Sequence, residues 1–318
     1  MLRAEDGRDR GQLLVIIALV LGMVFVALAI VVNAAIFTEN LATRETVDSE
    51  RTVAFTGDVE RAIEVRYNRT NSNGSHTASA ARATFNDTFR TWTDQRSNVS
   101  ATEGGYYGAN WTTHVGWRLN QSSDDSFAPA DDRAATEWTL ATDATDIAAF
   151  ELEVTKDDLN DSADGAFNVF VTDDSDTWEL FVYRTGGNVV VTNDTATSDE
   201  CTTGSSRAEI DVRAGEFDED PCDELDLPSA LNGDLRIEFR DVQNSSGDEH
   251  VNGTYTIVLN GSGAVEKTNG EPDRFNRSGA DPPTAAAVVY AVNYTTTYER
   301  ADVAHHRDGR YAPRAELY

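Results

Sequence analysis

The chain has 318 residues, 40% of them apolar, and carries 55 acidic against 26 basic side chains for a net charge of −29. That length suits one or two domains, and the apolar share is enough for a packed core, which excludes a wholly disordered chain. So negative a field excludes a general nucleic-acid-binding surface, and two cysteines exclude a Cys-rich zinc module or an iron–sulfur protein.

The first element is the most marked. Leu13 to Phe37 is a run of 25 residues without a charge, with Asn33 its one clearly polar side chain. As a helix rising ~1.5 Å per residue it would be ~37 Å long, enough to cross a ~30 Å hydrocarbon layer with some tilt. A buried core helix is rarely this long or apolar on every face. A cleaved signal peptide, with Val32-Asn33-Ala34 as its small-residue site, is the nearer rival, but the run far exceeds the roughly 7–15 apolar residues of such segments. The pattern predicts a cytoplasmic leader over 1–11 and a retained transmembrane helix over 12–37. Arg3, Arg8 and Arg10 precede the span and place the N-terminus in the cytoplasm by the positive-inside rule. Glu5, Asp6 and Asp9 count for little in that rule, and Arg44 and Arg51 beyond the span leave the bias modest.

At this junction Asp9-Arg10-Gly11-Gln12, followed at once by the apolar run, resembles the class III signal of archaeal type IV pilin-like proteins and archaellins. The resemblance covers about residues 9–40. It implies that a prepilin peptidase cuts between Gly11 and Gln12 and leaves the apolar helix on the mature chain. It also implies a subunit whose helix spans the membrane before assembly, packs in a filament core afterwards, and carries a β-rich head. Ile16 stands at the fifth mature position, where many pilins have a glutamate; archaeal members often lack that acid.

After the span the period changes. Phe55, Val59, Ile63 and Tyr67 recur every fourth residue and form one apolar stripe on a helix continuing from or closely following the span. Asn68 to His76 break it with polar residues and Gly74. Ala81, Phe85, Phe89 and Trp92 predict a second helix over 78–96, so that 38–100 form a helical stalk. From Tyr106 the pattern turns to strands, expected over 110–119, 136–140, 148–155, 166–172, 177–184, 187–192, 207–213, 234–242, 253–260 and 285–298. Asp173-Asp174-Ser175-Asp176 and Thr185-Gly186-Gly187-Asn188 fall between strands as hairpin turns. The expected fold class is α+β: a transmembrane helix, an amphipathic helical region, and a mainly antiparallel, β-sandwich-like extracellular domain over 101–300. The polar, arginine-bearing segment 301–318 is expected to be a C-terminal tail or edge cover.

Thirteen of the twenty asparagines begin the acceptor pattern Asn-x-Ser/Thr: Asn68, Asn73, Asn86, Asn98, Asn110, Asn120, Asn160, Asn193, Asn244, Asn252, Asn260, Asn276 and Asn293. Chance would produce roughly three, and all thirteen lie beyond the span, which predicts a glycosylated exterior domain. Cys201 and Cys222 enclose 20 residues rich in turn formers, and an oxidising exterior would let them pair. Two unpaired buried thiols are the ordinary alternative.

No catalytic pattern stands out. There is no Gly-x-Ser-x-Gly elbow, phosphate-binding glycine loop or His-Glu-x-x-His motif. His305-His306 would point opposite ways on a strand. Asn160-Asp161-Ser162-Ala163-Asp164-Gly165 is similar to a calcium loop, but Val171 occupies the place of its bidentate glutamate, and a solvated acidic turn is the simpler reading. Neither an enzyme, a cofactor nor a metal site is expected.

Only two of the 26 basic residues are lysines, Lys156 and Lys267. Molar salt shortens electrostatic screening to ~3 Å and removes the self-repulsion of such a chain, so the acidity reads as adaptation to a salty medium, that of a halophilic archaeon. The alternative is an ordinary acidic secreted protein, usually richer in lysine. Two roles follow: a pilin-like structural subunit of an envelope filament or complex, or a singly anchored extracellular binding and adhesion module that forms no filaments. The expected partners are membrane lipid, other pilin-like subunits or envelope components, and the prepilin peptidase.

Overall fold

The computed structural model describes residues 6–173, 175–194, 199–228, 231, 233–243, 250–261, 265, 274–276, 281–300 and 303–312. The chain divides into two compact units, Met1–Val59 and Glu60–Tyr318. The first consists mainly of α1 (Asp6–Asn73), a single helix of 68 residues whose last turns belong to the second. The stripe predicted from its period is real: Phe55, Val59, Ile63 and Tyr67 are all buried. Continuity through Asn68–Asn73 is a correction, because the polar residues there do not break the helix. Gly74 does so, by adopting φ +59°.

The second helix, α2 (Ala78–Thr102), extends past its expected end at 96. Thr77 caps its N-terminus by accepting a hydrogen bond from the Ala80 amide at 3.2 Å. At the other end the Gly104 amide donates to Ala101 and the Gly105 amide to Ser100, with Gly104 at φ +75°, so a glycine cap rather than a polar break sets the boundary. Ala81, Phe85 and Phe89 lie buried along one face, as their spacing predicts.

Fourteen strands follow among the described residues: β1 (Tyr106–Ser126), β2 (Trp138–Ala144), β3 (Asp146–Thr155), β4 (Phe167–Thr172), β5 (Thr177–Thr185), β6 (Asn188–Thr192), β7 (Cys201–Thr203), β8 (Arg207–Asp211), β9 (Glu216–Phe217), β10 (Asp220–Pro221), β11 (Leu235–Arg240), β12 (Asn252–Asn260), β13 (Thr284–Arg300) and β14 (Val303–Tyr311). They form an eight-stranded sheet in the order β10-β9-β8-β3-β12-β1-β13-β14 and a six-stranded sheet in the order β2-β11-β4-β5-β6-β7. Every pairing is antiparallel, and the domain curls into a half-barrel. The α+β class is therefore as the residue pattern predicts. The β5–β6 hairpin also forms at the predicted turn, where Gly186 and Gly187 both take positive φ as a two-residue turn of this hand requires.

One long ribbon organises the domain. β1 pairs with β13 from Tyr106 to Asn120, and alternate residues of β1 share one face throughout. Near the start of the strand that face meets α2: Trp111 lies edge-on to Phe89 with ring centroids 4.8 Å apart, and Tyr107 edge-on to Trp92 at 5.9 Å. Further along, Val115, Trp117 and Leu119 enter a core shared with Val169 and Val171 of β4 and Ile237 and Phe239 of β11. Helices and second sheet thus occupy successive stretches of the same face. At Gly116 a side chain would overlap the carbonyl of Leu259 on β12, so only glycine permits this approach.

The last turn of α1 is tied to β13 beside a break in register. The Asn71 side chain donates to the Val289 carbonyl at 2.9 Å and accepts from its amide at 2.8 Å, where β13 carries one residue more than β1. Both Val289 groups would otherwise be buried without partners, at a cost of about 1–3 kcal/mol each.

Four strands were not expected. β7, β9 and β10 are two or three residues long and carry little period. Of the two expectations for 301–318, β14 replaces the tail and agrees with the edge cover: Val303–Tyr311 pairs along β13 as an edge strand, with half-buried His305, Arg307, Gly309 and Tyr311 alternating with exposed neighbours. Its period of two is carried by polar residues, which suits a strand whose outer edge meets solvent. Residues 313–318 of that segment lie outside the described ones.

Candidate functional sites

Among the described residues, Leu14–Phe37 is the helix long and apolar enough to cross a membrane, judged by length and composition. Its large apolar side chains are exposed throughout, from Val32 at 48% to Phe37 at 69%. Gly11 and Gln12 lie within α1, and the Gln12 side chain is outside the described ones.

The acceptor asparagines separate by environment. Asn98, Asn110, Asn193 and Asn293 are exposed. Asn68, Asn86, Asn120, Asn252, Asn260 and Asn276 are half-buried and most are engaged: the Asn86 carbonyl oxygen accepts from Trp111 Nε1 at 2.8 Å and from Thr113 at 2.7 Å, and the Asn252 amide donates to Asp158 at 2.9 Å. Asn160 is 4% exposed, and its amide donates to the Gly165 carbonyl within its own loop. The side chain of Asn73, and Asn244 entirely, lie outside the described ones.

Cys201 and Cys222 are joined in a disulfide, with their Cα atoms 6.1 Å apart. Cys201 begins β7, at one edge of the six-stranded sheet, and Cys222 follows β10, at one edge of the eight-stranded sheet. The bond therefore staples the edges of two different sheets together. Sequence reasoning found the pair but not this role, because spacing says nothing about which sheet each cysteine joins.

The loop resembling a calcium site is engaged otherwise. Asp161 pairs with Arg184 at 2.6 Å, and among the described residues no group of three or more His, Cys, Asp or Glu side chains is placed to hold a metal ion. His305 and His306 point to opposite sides of β14, as expected of strand neighbours.

Two charged arrangements escaped sequence reasoning. On the outer face of the eight-stranded sheet a cleft of about 420 Å³ is lined by Glu151, Glu153, Glu209, Asp211, Glu216 and Glu219. Burial, followed by the charges of Asp211 and Glu209, raises the Glu151 carboxyl above its ordinary value. A group that holds its proton more tightly when folded weakens folding at neutral pH, and that penalty fades as pH falls through the folded value toward the unfolded one. Glu151→Gln is therefore expected to raise the melting temperature at pH 7 and to change it little below about pH 4. Most of the gain should persist in molar salt, because burial is the larger cause and is not screened. An unchanged melting temperature at pH 7 would contradict this.

In the second arrangement Glu238, 8% exposed, lies between Arg236 and Arg240 on β11. Its burial alone would raise its carboxyl, but hydrogen bonds from Arg240 and Thr139 and the charges of both arginines outweigh that and lower it. The Arg240 guanidinium also stacks on Phe170, 3.4 Å from the ring centroid. Arg236 and Arg240 both contact the Glu238 carboxylate, and Arg240 also approaches Glu179 at 4.0 Å, so this is a charge-paired structural cluster. Proximity across strands gathers the carboxylates of the cleft, whereas Arg236, Glu238 and Arg240 share a face because they alternate along β11; the charged residues were too numerous for either set to stand out in the sequence.

Comparison with family models, curated proteins and solved structures finds no match to this chain.

Proposed function

We propose that the chain is a membrane-anchored, glycosylated cell-surface protein of a halophilic archaeon, serving as a pilin-like structural subunit of an envelope filament or complex. The observation that carries this reading is the apolar helix over Leu14–Phe37, exposed on every side. Seventeen large apolar side chains lie along it, and leaving each in water forgoes roughly 1.5–3 kcal/mol of burial. Such a surface calls for a covering of lipid or of other apolar helices. A pilin-like helix meets both in turn, lipid before assembly and sister helices after it. The Asp9-Arg10-Gly11-Gln12 junction, the arginines ahead of the span and the acceptor asparagines beyond it favour the same placement, with the N-terminus in the cytoplasm and the sandwich-like head outside. The Cys201–Cys222 disulfide suits an oxidising exterior.

A second reading is favoured by the head itself. Its two sheets enclose one continuous core without help from another chain, as suits a singly anchored binding or adhesion module. N-terminal sequencing of the protein from native membranes tests the first reading. It should begin at Gln12; an intact Met1, or a start near Ala35, would overturn it. If Gln12 is found but the protein never pellets as filaments, the anchored module stands instead.

A further inference from the structure

We infer that Asn110 and Asn293 form a paired glycan-bearing site on the outward face of β1 and β13. The inference rests on the reading above that the β domain lies outside the cell, and it selects among the thirteen acceptors. An acceptor motif sets its asparagine and its hydroxyl two residues apart. On a strand these share a face, whereas on a helix they diverge by about 200°. Asn98 shows the consequence: it is exposed on α2 while its Ser100 is buried. Asn160 fails because the asparagine itself is buried, with its amide turned inward to the Gly165 carbonyl of its own loop.

Asn110 and Thr112 are both exposed on β1; on β13, Asn293 is exposed and Thr295 half-buried. The two motifs interlock, because Asn110 stands opposite Thr295 and Thr112 opposite Asn293. Each asparagine thus has the hydroxyl residue of the other motif directly across the ribbon, and the asparagines are diagonal neighbours about 7–8 Å apart. An open groove of about 560 Å³ runs over them, bordered by Asp308, which accepts a hydrogen bond from Thr295 at 2.6 Å. The Asn293 amide approaches His114 Nε2 at 3.0 Å. That contact uses one of its two hydrogens and leaves the other for substitution by a sugar. With two glycans side by side this face is a solvent face, and any neighbouring copy must pack elsewhere.

Glycopeptide mass spectrometry of the full protein from native membranes tests this. Glycans are expected on the Asn110 and Asn293 peptides and none on the Asn160 peptide. N110Q/N293Q should be lighter by two glycans, with an unchanged melting temperature for the deglycosylated forms. A glycan on Asn160, or bare Asn110 and Asn293 in a protein glycosylated at other positions, would overturn the pairing alone. Bare asparagines at all thirteen positions would overturn the extracellular reading along with it.

Discussion

Phe239→Ala is expected to lower the unfolding free energy by about 3–5 kcal/mol, the range for removing a fully buried phenylalanine. Phe239 on β11 is wholly buried, and its ring touches four others: Phe167 at 5.3 Å, Tyr255 at 5.4 Å, Phe127 at 5.5 Å and Trp138 at 6.2 Å between centroids. Tyr255 lies on β12 in the eight-stranded sheet, whereas Phe167, Trp138 and Phe239 itself belong to the six-stranded one. The ring is thus a bridge between sheets, and its loss removes contacts on both sides that no single neighbour can replace. For a domain of this size each kcal/mol lowers the melting temperature by roughly 2–4 °C, so a fall of roughly 6–20 °C is expected by calorimetry. Phe239→Leu, which keeps much of the volume, should lose less than half as much. An alanine variant within about 1 kcal/mol of the parent would show that the two sheets do not depend on this cluster.

Removing the disulfide should have the next largest effect. In the chain-entropy account, a cross-link closing a loop of about 20 residues stabilises the folded state by ~3 kcal/mol. Here the bond also holds edge strands too short to hold themselves: β9 and β10 have two residues each and β7 has three. Cys201→Ala/Cys222→Ala is expected to lower the urea midpoint in proportion. Faster amide exchange should appear in β7, β9 and β10 before it appears in β1 or β13. The parent protein should behave in the same way once reduced. Equal midpoints with and without the bond, measured in the same salt, would show that the sheet edges are held by packing alone.

The parts of the fold legible in the residues share one property: their signal is local. The stripe Phe55, Val59, Ile63 and Tyr67, the Phe85–Phe89 face of α2, the glycine turn between β5 and β6, and the apolar run ending at Phe37 each announce themselves within one continuous stretch of 25 residues or fewer. Helix ends were less legible. At Asn68–Asn73 polar side chains are compatible with continued helix, and only the left-handed conformation of Gly74 stops it. β14 was missed for the opposite reason. Its alternation is real, but the alternating residues are His305, Arg307 and Tyr311 rather than valines, since an edge strand faces solvent.

Residue type and short-range period alone told which cysteines could pair and which asparagines carry the acceptor motif, where an apolar helix must lie, and that more helix and then strands would follow it. Tertiary structure decided the rest: that Cys201 and Cys222 join the edges of two different sheets, that Asn71 reaches Val289, that Glu151 shares its cleft with Asp211, and that Asn110 and Asn293 meet on one face while Asn160 is buried. Each depends on strands far apart in the chain coming side by side, and sheet order and register are long-range choices that no short stretch of residues encodes.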